Sequence, residues 1–299
     1  MSARAVPRAR VGGLSWPTSQ PWRAQRRSPL LLPHIVIGSL LLLLVVLVAL
    51  AAPLLTSIDP QFVQPEQRLA PPGPLHPAGT DNFGRDLFSR TVYGARVSLI
   101  VGVLVAGLAT VLGTALGLIA GYYPRVDGLL MRVMDSLMAF PGIVLAVAIM
   151  AAVGPQVSNV VIALSVVYTP RIVRLVRSVV LVVREMQYIE AARSVGMPDV
   201  RIVGRHILPN CLSVLTVQST FIFAEAVLAE AALSFLGVGT PPYIPSWGII
   251  LGEARTYIRD APWMMVLPGL SLSITVLGLN LLGDGMRDVL DPRQRRLAH

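Results

Sequence analysis

The sequence contains no lysine; all 25 of its basic residues are arginine. That absence removes two chemistries. A GxxxxGK[ST] phosphate loop needs the lysine amine to reach the phosphates, and a Schiff-base enzyme needs it as the nucleophile. The chain by itself is therefore not a standard P-loop ATPase. Cysteine is almost as scarce. Cys211 stands alone beside an apolar run, so no internal disulfide can form. Charge of either sign is thin, at 14% of 299 residues, where a soluble domain carries about 25%. So few charges cannot coat a soluble surface of this size.

What is present instead is apolar. Hydrophobic residues make up 54% of the chain and the mean hydropathy is +0.67, which excludes disordered, collagenous and disulfide-scaffold classes. The excess of 25 basic over 16 acidic residues gives a net charge of +9. Its placement does not suit nucleic acid, and no nucleic-acid partner is expected. The arginines sit at the two ends and between apolar runs, as membrane-flanking charges do. A membrane helix needs about 20 apolar residues to cross about 30 Å of hydrocarbon. Six runs answer to that description, at residues 30–55, 97–122, 136–153, 157–183, 211–238 and 263–282. Lipid is thus part of the solvent.

Orientation follows from the arginines. Arg4, Arg8, Arg10, Arg23, Arg26 and Arg27 precede the first run, and Arg287, Arg293, Arg295 and Arg296 follow the last. Both tails are expected in the cytoplasm, which requires an even number of crossings. The chain then divides into an arginine-rich, disordered tail (1–29), a first span (30–55) and an extracytoplasmic segment with an interfacial helix (56–96). A five-helix core (97–286), with an inside loop at 184–210, and a cytoplasmic tail (287–299) follow. The first apolar run is roughly twice the 7–15 residues of a signal-peptide h-region, so it reads as an uncleaved span. Arg171, Arg174 and Arg177 break the inside-positive pattern. The simplest account has the fourth helix leaving the bilayer near Pro170 with its arginines reaching headgroups; a gating or substrate role is the sharper alternative.

The inside loop carries most information. Residues 185–195 suit a short helix, and Gly196 sits where a left-handed residue would end it. Pro198 suits the first turn of a second helix and Asp199 its positive N-terminus. Pro209 would close that helix or kink it into the fifth span. The result is a helix–glycine–helix elbow on which Ala191 and Ala192 leave a low surface for another protein.

Glu190-Ala191-Ala192-x3-Gly196-x9-His206-x-Leu208-Pro209 resembles the EAA loop of ABC importer permeases. His-x-Leu-Pro-Asn at residues 206–210 is similar to the dipeptide, oligopeptide and nickel branch of that family. Gly79-Thr80-Asp81-x2-Gly84-Arg85-Asp86-x2-Ser89-Arg90 resembles the entry to the second span in its C-type subunits. Leu233-Ser234-Phe235-Leu236-Gly237, Pro245-Ser246-Trp247-Gly248 and the stretch from Asn280 to Asp291-Pro292 resemble its C-terminal half.

The resemblance implies an all-α polytopic protein with six transmembrane helices, in the type I ABC importer permease fold, in a bacterial plasma membrane. It further implies partners: a homologous second permease, two ABC ATPase subunits that hold ATP and Mg, and an extracytoplasmic solute-binding protein. This chain would hold no cofactor and do no covalent chemistry. Glu190, Ala191, Ala192, Gly196, His206, Leu208 and Pro209 would transmit ATPase motion to the spans.

Other features have plainer readings. Thr80 or Asp81 would cap a helix, making Arg85, Asp86 and Arg90 parts of a structural elbow. Trp247 and Trp263 would be interfacial anchors. Glu225 and Glu230 interrupt the fifth run, and their spacing puts them about 140° apart around a helix. A carboxylate within a bilayer needs a wet cavity or a partner. A substrate path is one use; a pair with an arginine or polar group of the second permease is another. His34, His76, His206 and His299 are scattered, so no metal site is expected. The competing function is a self-sufficient proton-coupled transporter using Glu225 or Glu230. A membrane enzyme lacks any Ser/His or His/Glu arrangement at matched depth.

Overall fold

The computed structural model describes residues 31–290; the N-terminal arginines, Arg293, Arg295, Arg296 and Asp291-Pro292 lie outside them, whereas Arg287 is in the last turn of the final helix. The described residues are helical apart from loops and one isolated bridge between Thr80 and Asp86. In order the helices are α1 (Leu31–Leu50), α2 (Ala52–Leu55), α3 (Leu87–Tyr122), α4 (Pro124–Met138), α5 (Gly142–Val153) and α6 (Val157–Val183). Then come α7 (Gln187–Ser194), α8 (Asp199–Ile202), α9 (Leu208–Phe235), α10 (Trp247–Ala254) and α11 (Trp263–Leu290).

Four helical segments are long and apolar enough to cross a membrane: α1, α3, the continuous run 199–235 and α11. The bent pair α4–α5 adds a fifth if the two are taken as one span. The 27-residue α6 is long enough for another, but carries three arginines in its second half.

Two departures from the sequence-based expectation have local causes. The interfacial helix and the second span are one 36-residue helix, α3, about 54 Å long at 1.5 Å per residue. Its first turns carry polar residues that are buried within the protein, among them Ser89, Arg90 and Thr91, and these have partners. Arg96 donates from Nε to the Ala49 carbonyl (2.5 Å) and from Nη2 to Leu50 (3.0 Å). It thereby serves the orphan carbonyls that end α1. The cap is Asp86, whose carboxylate accepts from Ser89 N–H at 2.7 Å, in place of Thr80 or Asp81. The second departure is the size of the bend in the third run, where the sequence suggests a kink at Pro141. The chain breaks after Met138, and α4 and α5 meet at 91°. Pro141 forces this: it cannot continue α4 and instead stands at the N-cap of α5. Pro170 and Pro268 lie inside α6 and α11, which run on through them.

Packing rests on close backbone approach. Gly113, Gly117 and Gly121 fall every four residues on α3, opposite Ile172, Val176 and Val180 on α6. A Cβ at each glycine would lie 2.5, 2.7 and 2.6 Å from the facing Cβ. Small residues at this spacing make a groove into which a branched row fits, as membrane helices require where no hydrophobic force separates protein from lipid. The α1–α11 crossing uses the same device. A Cβ on Gly38 would stand 2.7 Å from the Gly278 carbonyl.

Gly117→Val should therefore destabilise the bundle by about 1–3 kcal/mol, the usual cost of overpacking. Gly107, around which a Cβ meets nothing within 4 Å, should accept alanine. Thermal aggregation of the two purified variants against wild type checks the contrast; equal midpoints would refute the groove's role.

Candidate coupling elbow and embedded charges

The segment between α6 and α9 builds an elbow at the Tyr122 end of α3. On α7, Ile189 and Ala192 turn inward and join Ile202, Ile207 and Cys211 in one core with Tyr122, Ile172 and Val176. Helix α7 ends in a two-bond lock. Gly196 N–H donates to Arg193 (2.9 Å) and Met197 N–H donates to Ala192 (3.1 Å). This is the Schellman pattern, and it needs a left-handed residue at Gly196, whose φ is +77°. Pro198 is the N-cap of α8 and Asp199 its first residue. Of the two outcomes expected at Pro209, an end or a kink, the helix does not end there. Val203–Ile207 forms a π turn that leads the chain into α9, with Leu208 N–H donating to Val203 instead of to residue 204. The wider turn takes up the proline without interrupting the helix.

Three contacts tie the elbow to the end of α3. The Arg184 guanidinium donates to the Gly121 carbonyl at 2.8 Å. The Tyr122 hydroxyl donates to Asp199 Oδ1 at 2.6 Å. The Arg193 guanidinium lies 5.3 Å over the Tyr122 ring. Glu190, Ala191, Gly196 and Pro209 are exposed, His206 and Leu208 are half-buried, and Ala192 is buried. His206 Nε2 is enclosed without a hydrogen-bond partner. The rim also presents Val195 and Val200, 79% and 83% exposed.

The embedded charges are neutralised within the chain. Arg171 Nη1 donates to both oxygens of Glu225, at 2.6 and 2.8 Å. Arg174 Nη2 donates to Asp135 at 2.6 Å. Arg177 grips Asp127 with two bonds, at 2.5 and 2.6 Å. Three arginines spaced three apart on α6 thus meet one acid on α9 and two on α4, where the sequence suggested headgroups for the arginines and a second permease for Glu225. Glu230, on a different face of α9, is fully buried. It accepts from Ser98 (3.0 Å) and Ser234 (2.8 Å). Hydroxyl contacts continue from Ser234 to Thr240 and Ser246.

At the other end of α3, Asp81 accepts from Arg85 Nε at 2.6 Å and from Arg90, and Arg90 also reaches Glu253 at 2.5 Å. This four-charge cluster gives Arg85 and Arg90 their structural place. Sequence reasoning missed Glu253, Asp127 and Asp135; their only signal was the need of nearby arginines for partners. Trp247 is buried rather than interfacial, and its indole N–H donates to the Thr91 carbonyl at 3.1 Å.

A helical bundle crossing the membrane several times, with embedded charges and an elbow rigidly joined to one span, is the frame of a transport permease. Residues 113–296 match the family model described as binding-protein-dependent transport system inner membrane component, and the chain belongs to that family. It is 55% identical over 257 residues to a peptide transport system permease protein of Brucella suis, covering 86% of this chain and 87% of that one. It is 45% identical over 276 residues to the dipeptide transport system permease of Alkalihalophilus pseudofirmus, covering 92% and 91%. With the di/tripeptide transport system permease of Pseudomonas aeruginosa it shares 43% over 268 residues, covering 87% and 88%. An inward-facing structure of the MetNI methionine ABC transporter shares the fold, with a TM-score of 0.55 at 20% identity over 68% of this chain and 96% of that one. The chain is a membrane permease subunit of a transport system, and nothing here favours a self-sufficient proton-coupled transporter.

Gly196→Val should strain the elbow by about 1–2 kcal/mol through backbone conformation alone, since a Cβ there meets nothing within 4 Å. Gly196→Asn, which tolerates the left-handed region, should lose less. Hydrogen exchange across residues 187–202 reads the difference; equal protection in both variants would count against the lock.

Proposed function

We propose that this chain is one half of the translocation path of an ATP-driven peptide importer, and that its elbow is the part gripped by an ATPase subunit. The observation that carries the reading is mechanical. An elbow with an exposed apolar rim, including Val195 and Val200, continues without a break into a 37-residue helix, 199–235, long enough to cross the membrane. A push on the rim is delivered to the span instead of being absorbed in a loop. Glu190 and Ala191 supply the exposed polar and small positions of α7, and Gly196 fixes its angle to the outgoing arm. Half-buried His206 and Leu208 and exposed Pro209 form the root of that arm.

The other subunits are a homologous second permease, two ATPase subunits carrying ATP and Mg, and an extracytoplasmic binding protein. This chain does no covalent chemistry. The arginine pattern supports a cytoplasmic elbow and cytoplasmic tails at residues 1–29 and 287–299. The peptide cargo is supported by the names of the relatives. Glu225 is the acidic residue on the path; Glu230 is closed into its hydroxyl cluster.

Glu190→Arg reverses the charge at the exposed α7 surface without touching the core. In the reconstituted importer it should lower ATP-driven peptide uptake tenfold or more, with insertion and amount unchanged. Full uptake by this variant would remove the coupling role.

A further inference from the structure

Arg171 lies about 20 Å from either end of α6, and Glu225 roughly 15 Å from the Phe235 end and 25 Å from the Leu208 end of α9. Both residues therefore lie several turns inside their helices. The side chains are nevertheless 47% and 42% exposed. Within a membrane protein such charges are too costly to face lipid and belong to a wet cavity or a protein surface. A cavity of about 330 Å³ opens beside them, a size that suits a small ligand. Its wall is formed by the pair, by Tyr168 and by the α4–α5 break at Phe140; the remaining wall is apolar, as at Leu164 and Ala229. Arg171 and Glu225 are the charged side chains among its lining residues. The neighbouring pairs, Arg174–Asp135 and Arg177–Asp127, do not border it and tie α6 to α4.

We propose that the Arg171–Glu225 pair receives the terminal charges of a passing peptide: the guanidinium takes the carboxylate and the Glu225 carboxylate takes the ammonium. The inference rests on the peptide reading above and deepens it. One cation and one anion, already in contact, form a neutral site that satisfies itself when empty. A zwitterion can open that pair and replace each bond with one of the same kind. No charge is then left unpaired in a cavity whose other walls are mostly apolar, where a lone charge is costly. A ligand with a single terminal charge cannot do this, because one member of the pair stays without a partner. The apolar remainder of the wall accepts varied side chains by contact alone. The Tyr168 hydroxyl, which donates to the Glu225 backbone carbonyl at 3.3 Å, leaves the carboxylate free to turn toward the ligand.

The test uses the isolated membrane complex of both permeases and both ATPase subunits, without the binding protein, so that terminus selection by that protein does not intervene. Equilibrium binding is measured for alanyl-phenylalanine, its C-terminal amide and its N-acetyl derivative. Wild type should bind the free dipeptide tighter than either derivative by roughly tenfold or more, the loss expected for one charge-assisted hydrogen bond. Arg171→Gln should bind acid and amide alike while still rejecting the acetyl form. Glu225→Gln should bind the free and acetylated amines alike while still preferring the acid. A merely structural pair would weaken all three ligands together in both variants and would overturn the proposal. So would equal or absent binding of the three by wild type. Dipeptide uptake by the complete importer is measured in parallel. Uptake without terminus-dependent binding defeats this proposal alone; no dipeptide uptake defeats the peptide reading and this proposal with it.

Discussion

An ion removed from water must meet its opposite, and that constraint organises this bundle. Arg171, Arg174 and Arg177 would each be expensive on an apolar helix, yet each is closed by a carboxylate from a different position: Glu225, Asp135 and Asp127. The pairs fix more than charge. Asp127 and Asp135 sit near the two ends of α4, so two arginines on one helix hold the whole length of another against it. At the far end of α3 the same rule operates with Asp81, Arg85, Arg90 and Glu253. There the ion pairs pin the 78–90 turn to α10. Removing one member would strand a buried charge, which costs more than the pair itself contributes.

Between these two charged ends the chain relies on shape. The glycine row of α3 lets α6 approach until branched side chains meet backbone, and Tyr122 at the end of that row reaches the elbow through Asp199. The α3–α6 contact and the elbow are therefore one mechanical body: Ile172 and Val176 from the glycine interface share a core with Ile189 and Ile202 from the elbow. Under the proposed coupling, force applied to α7 would reach α6 and α9 through that shared core as well as through the covalent chain.

Much of this was legible in the sequence where the information is local. Apolar runs announce spans because lipid demands about 20 such residues. Gly196 announces a helix end because a left-handed position favours glycine. The elbow motif places its residues within a short stretch of chain. What was not legible depended on residues far apart in sequence. Arg171 lies 54 positions from Glu225 and Arg90 lies 163 from Glu253, so neither pairing leaves a local trace. The continuity of the interfacial helix with the second span was hidden for a related reason. Hydropathy falls over residues 87–96, and only the tertiary partners of Arg90 and Arg96 make a continuous helix acceptable there. Pro209 left two outcomes open, and a π turn lets the helix run on through a proline that could have ended it.

The two carboxylates of α9 show how one helix can carry both a scaffold and, under the proposed binding, a path. Their spacing turns them about 140° apart, so a neighbour that surrounds one cannot surround the other. Glu230 faces α3 and the segment before α10. There Ser98 and Ser234 serve its oxygens, and Ser234, Thr240 and Ser246 extend the contacts to Ile249 N–H at the start of α10. Hydroxyl groups are short and uncharged, so they can fill such a site without leaving a cavity, and the result is a joint between three elements. Glu225 borders a cavity that no helix among the described residues fills. Its partner there is a long arginine side chain rather than a packed hydroxyl. A joint is best made from groups that have nowhere else to go; the proposed binding site needs groups that can exchange one partner for another, and of the two carboxylates Glu225 is the one that borders the cavity.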